Sequence, residues 1–98
     1  MGKYLMLWEL NESKIPVKAK DRGVATSFLL EMVKQDMKKG LVKDWGVYLA
    51  ENNGYAVSEG TEMDVINMMQ QYNPFVRFKV HPIVSVSHVD EMIKVLTK

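Results

Sequence analysis

Two histidines, a short row of basic residues and three large aromatics are the side chains here that could do chemistry. His81 sits in Arg77-Phe78-Lys79-Val80-His81-Pro82. Histidine titrates near neutrality, so His81 is a candidate general base. A base of this kind needs an orienting partner, and Glu59 or Asp44 could supply one. Arg77 and Lys79 could hold a carboxylate or phosphate, or pair with acidic residues across a subunit interface. Trp8, Trp45 and Tyr48 could line a pocket for a planar ligand, or fill a core. Met63, Met68 and Met69 could form an adaptable wall beside them. Glu9 and Glu59 end two strands expected to be neighbours, and paired carboxylates can do acid–base work. His88 falls in the first turn of a helix. Two histidines on different elements are a weak argument for a metal, so none is expected.

The elements that position these residues follow from periodicity. Phe75–Val86 is the longest alternating run. Val76, Phe78 and Val80 share one parity, and Arg77, Lys79 and His81 the other, as in a strand with one apolar and one polar face. Lys3–Glu9 is nearly all apolar and reads as a strand buried on both faces. Asn11–Lys20, around Ile15-Pro16, reads as a surface loop. A helix to about Lys39 follows, capped by Asp21, with Ala25, Phe28, Leu29, Met32, Val33 and Met37 as its apolar stripe. Gly40 is its stop.

Leu41–Glu51 and Tyr55–Glu59 read as a hairpin through Asn52-Asn53-Gly54. A two-residue Asn53-Gly54 turn would set Tyr48 opposite Glu59; the preferred register, with Gly54 at the left-handed position, sets Leu49 opposite Val57 and puts Trp45, Val47, Leu49, Tyr55 and Val57 on one face. Asp44, Gly46, Tyr48, Ala50, Ala56 and Ser58 would take the other. Thr61 and Asp64 suggest a capped helix carrying Met63, Ile66, Met68 and Met69. Ser87 is expected to cap a last helix with the stripe Val89, Met92, Ile93 and Leu96.

The order β-α-β-β-α-β plus a helix implies an α+β, ferredoxin-like domain over residues 1–98. Its four-stranded antiparallel sheet has the first and third strands central and its helices on one face. The other face must then meet water or a second subunit. The apolar strand Tyr4–Trp8, the long helix ending at Lys39-Gly40, the segment Trp45-Gly46-Val47-Tyr48, the hairpin at Gly54 and the strand Phe75–Val86 together resemble the dimeric α+β barrel superfamily. Muconolactone isomerase, antibiotic-biosynthesis monooxygenases and stress-responsive barrel proteins are members. The resemblance implies a homodimer, or a higher homo-oligomer, whose sheets pack face to face. It also implies a small ligand between sheet and helices, and a cofactor-free isomerase or monooxygenase is one activity it allows. No histidine falls on an inner helix face, which argues against haem.

Composition narrows the classes. The chain has 98 residues, 13 basic and 12 acidic, for a net charge of +1. That balance argues against nucleic acid as a partner, although the strand order is shared with RNA-recognition motifs and Gly54-Tyr55-Ala56-Val57 has a faint likeness to one of their aromatic segments. With no cysteine, thiol catalysis, disulfides and zinc–thiolate sites are excluded. No apolar run approaches the ~20 residues of a membrane span. A cytoplasmic chain without a cofactor is the expectation.

Overall fold

The computed structural model describes residues 2–98. Its elements are β1 (Gly2–Leu10), a 3-10 turn (Glu12–Lys14), α1 (Ala19–Lys38), β2 (Val42–Val47), β3 (Asn53–Gly60), α2 (Glu62–Gln70), β4 (Val76–Ile83) and α3 (Val86–Leu96). The strands form one antiparallel sheet in the order β2-β3-β1-β4, with β1 and β3 central.

Strand parity divides the sheet into two faces. Met6 pairs with Ala56 and Val80, and Trp8 with Gly54 and Phe78. These side chains point toward α1 and α2 and form the core with Val33, Val42, Val65, Met68 and Tyr72. Leu5, Leu7, Tyr55, Val57, Arg77, Lys79 and His81 alternate with them and so occupy the opposite, bare face. Within the core, Ser58 Oγ donates to Met6 Sδ at 2.9 Å, which satisfies a fully buried hydroxyl.

The hairpin differs from expectation. Val47 pairs with Gly54, Gly46 with Tyr55 and Trp45 with Ala56. Residues 48–52 form the loop, closed by Tyr48 N–H to the Asn53 carbonyl at 2.9 Å. Ala50, and not Gly54, takes the left-handed conformation, with φ of 61°. Tyr55 and Val57 therefore lie on the bare face, and Ala56 and Ser58 are buried beneath the helices. A bulge between Val42 and Asp44 resets parity, so Val42 and Trp45 both point inward. Leu49 stands in solvent in the loop.

The helix faces are also rotated from expectation. In α1, Leu29, Met32, Val33 and Asp36 turn inward, while Phe28 and Met37 are exposed. Asp21 lies in the first turn; the N-cap is Lys18, without a side-chain cap. Gly40 follows the helix at φ +81°, a conformation that suits glycine. In α2, Val65 and Met68 are buried and Met63 and Ile66 exposed. Ser85, two residues before the expected cap, caps α3 in a reciprocal pair with His88.

Thr61 and Asp64 form the capping box of α2: Thr61 Oγ1 accepts from Asp64 N–H at 3.1 Å, and Asp64 Oδ2 accepts from Thr61 N–H at 3.0 Å. These bonds hold the Asp64 carboxyl below its ordinary 3.8. A folded-state pKa lowered in this way adds stability above the ordinary value and loses it as pH falls through the lowered one. Asp64→Asn is therefore expected to flatten the acid limb of stability below about pH 4, read from urea midpoints between pH 2 and 6.

Candidate functional site

The sheet and α1 do not close completely. Between them lies an apolar cavity of about 220 Å³, walled by Leu29, Leu30 and Val33 of α1, with Met6, Trp8, Trp45, Ala56 and Phe78 of the sheet. The volume is of the order that holds a one- or two-ring molecule, since a cavity of about 150 Å³ takes benzene.

The indoles of Trp8 and Trp45 stack with centroids 5.4 Å apart and planes 7° apart. Trp8 sits on central β1 and Trp45 on edge β2; β3 separates them. Gly54, opposite Trp8 on the intervening strand, makes the stack possible. A Cβ there would lie 2.7 Å from Trp8 and 2.0 Å from the Gly46 carbonyl. Trp8 Nε1–H donates to the Tyr55 carbonyl at 3.1 Å, so the ring is fixed in orientation.

Tyr72, just after α2, stands in the cavity wall edge-on to Phe78, with centroids 5.8 Å apart and planes at 74°. Its hydroxyl donates to Asp36 Oδ2 at 2.6 Å. Burial first, and then this bond, push the Tyr72 hydroxyl far above its usual range, so it remains neutral. Asp36 is fully buried, and its Oδ1 accepts no hydrogen bond among the described residues. The pair ties the end of α1 to the end of α2 behind the cavity. Glu51, Asn52 and Thr26 add polar atoms to its lining.

The residues singled out from sequence divide into two groups. Trp8 and Trp45 meet in the cavity. Tyr48 begins the hairpin loop and is exposed, outside the lining. Arg77 lies on the bare face opposite Glu9. His81, opposite Leu5, and Glu59, opposite Lys3, share that face but have β1 between them, about 12 Å apart at two strand spacings and a two-residue offset. Glu59 pairs instead with Lys43 at 3.6 Å. Asp44, the other suggested partner of His81, accepts from the Tyr55 hydroxyl at 2.9 Å, a bond that raises the tyrosine pKa. Glu9 and Glu59 fall at opposite ends of the sheet. Their strands are neighbours but antiparallel, and Glu9 faces Asn53. His88 is occupied in the α3 cap, its Nδ1 accepting from Ser85 N–H at 3.1 Å.

Sequence reasoning passed over Asp36 and Tyr72. A signal was present for the first: Asp36 is three residues after Val33 and four after Met32, which places a carboxyl on the inner stripe of α1. Tyr72, in the turn beyond α2, carried none.

The fold and the cavity define a small α+β chain with one covered and one bare sheet face and an apolar chamber on the covered side. No protein-family model matches it, and no curated protein does. No helix among the described residues is long and apolar enough to cross a membrane, and no group of three or more potential metal ligands occurs among them.

Proposed function

We propose that this chain is a ferredoxin-like subunit of the dimeric α+β barrel type. It pairs through its bare sheet face and binds a small, flat, apolar molecule between sheet and helices. The observation that carries the ligand reading is the chamber of about 220 Å³ beside the Trp8–Trp45 stack. Ligand sites are apolar and concave, with a few fixed polar groups. Here Glu51, Asn52 and Thr26 are placed to orient a polar substituent.

The pairing is supported by the make-up of the bare face. Leu5, Leu7 and Val57 form its apolar centre. Arg77, Lys79 and His81 make one edge basic, on β4, and Asp44 lies at the other, on β2. A two-fold axis parallel to the strands lays β4 of one sheet over β2 of its partner, so opposite charges meet. Such an interface is self-complementary. The element order and the central placement of β1 and β3 support the ferredoxin-like reading; α3 is an addition to that plan.

Binding is tested by titrating 2-naphthol while following tryptophan emission. Saturable quenching is expected, with at least tenfold weaker binding in Thr26→Phe, which fills the chamber from α1. Linear, unsaturable quenching in the parent chain would remove the ligand reading.

A second reading rests on the placement of Tyr55. On the bare face it lies beside Leu7, with Lys79 beyond, as a stacking aromatic for single-stranded RNA would. A salt-dependent shift with an RNA oligomer would favour it.

A further inference from the structure

The chamber does not end at Thr26. An open groove continues from it toward the start of α1, and the two share Leu10, Thr26, Leu29 and Asn52 in their linings. Along α1 the lining is unbroken. Residues 22–29 line the groove, and Thr26, Leu29, Leu30 and Val33 line the chamber. The loop after β1 adds Ile15 and Pro16, both half-buried, and Phe75 adds an aromatic edge. Val24 and Phe28, 66% and 65% exposed, stand in this groove.

The two spaces differ in the sign of their charge. Lys14 and Arg22 are the charged residues of the groove lining, and Glu51 is that of the chamber. Neither Lys14 nor Arg22 takes part in an ion pair among the described residues. The nearby acids in sequence, Glu12 and Asp21, lie outside the groove lining. Lys18 and Lys20 offset them, so residues 12–22 carry four basic groups against two acidic. Arg22 Nη1 donates to the Val17 carbonyl, which holds the guanidinium at the loop. Its other N–H groups are left for an acceptor. Gly23 keeps this stretch of the groove open. A Cβ there would meet nothing within 4 Å, so no neighbour in the fold demands glycine. Glycine inside a helix is destabilising relative to alanine, and room for a ligand is what it supplies here.

We propose that the ligand is an arylalkanoic acid. Its flat ring lies in the chamber beside the tryptophan pair, its alkyl tail runs along the groove past Gly23, and its carboxylate meets Lys14 and Arg22. This rests on the chamber reading above and adds the tail and its charge. Glu51 disfavours a carboxylate inside the chamber, while an arginine fork and a lysine favour one at the outer end. Thr26, at the shared rim, is four residues after Arg22, about 6 Å along the helix axis. About five tail carbons, with bonds of about 1.5 Å, span that distance.

The test compares 6-(2-naphthyl)hexanoate with 6-(2-naphthyl)hexan-1-ol, titrated at pH 7 against tryptophan emission, with 2-naphthol as the probe of the chamber alone. The acid is expected to bind at least tenfold more tightly than the alcohol. Lys14→Gln with Arg22→Gln should abolish that preference, whereas Lys18→Gln, the same kind of charge loss outside the groove lining, should preserve it. Gly23→Leu, whose side chain enters open space, should weaken the acid at least tenfold and leave 2-naphthol binding within twofold. Equal binding of acid and alcohol, a preference that survives the double variant, or an equal loss in Lys18→Gln would each overturn the proposal. Saturable 2-naphthol binding beside any of these results removes the tail and leaves the chamber. Unsaturable 2-naphthol quenching removes the chamber reading and this inference with it.

Discussion

Tyr72→Phe is expected to lower the urea midpoint of unfolding by about 1.5 M. The substitution removes one oxygen and leaves the ring in place against Phe78. It also strips Asp36 of its single side-chain partner, since Oδ1 already accepts nothing among the described residues. A buried polar group left unsatisfied costs about 1–3 kcal/mol, and more when it is charged. At about 3 kcal/mol, and a slope near 2 kcal/mol per molar urea, the midpoint moves by the stated amount. That is a large part of the roughly 5–15 kcal/mol that holds such a domain together. The double variant Asp36→Leu with Tyr72→Phe should recover most of the loss, because it removes both polar partners from an apolar site. If the double variant is as unstable as the sum of the two single changes, the pair is not coupled and the argument fails.

Leu7→Asp is expected to weaken self-association by at least 100-fold, measured by sedimentation at several concentrations. Leu7 lies on central β1 between Tyr55 and Lys79, at the middle of the bare face. A carboxylate there would be desolvated in a sheet-to-sheet interface, and centrally placed residues are where truncation costs most, about 2 kcal/mol or more. Two orders of magnitude in the dissociation constant correspond to about 2.8 kcal/mol. The monomeric fold should survive, since Leu7 points away from the core around Met6 and Trp8. A parent chain that sediments as a single subunit, or unchanged sedimentation of Leu7→Asp, would remove the proposed sheet-to-sheet pairing.

Some of this molecule is legible from local chemistry. The alternation of Val76, Phe78 and Val80 with Arg77, Lys79 and His81 places the basic row on the bare face, because side chains of a strand must alternate. Thr61 with Asp64 marks the start of α2, and Gly40 the end of α1, because orphan backbone groups at helix ends take a small set of solutions. The element order implies central β1 and β3. Each of these depends on residues within a few positions of one another, or on the order of such segments.

What required the tertiary structure depends on residues far apart in sequence. Asp36 and Tyr72 are joined across 36 positions, and Trp8 and Trp45 across 37, through a gap left by Gly54. The hairpin register turned on Ala50 accepting a left-handed backbone and on a bulge at Lys43, and one step of register exchanges the faces of Tyr55 and Ala56. The inner face of α1 carries Leu29, Met32, Val33 and Asp36 and leaves Phe28 outside, and Asp36 meets its partner Tyr72 only in the folded chain. The amino-acid sequence alone determined that α3 would be an amphipathic helix. Only the tertiary structure decided that its apolar stripe stays exposed on its own chain, because burial depends on which elements meet it in space and not on its own periodicity.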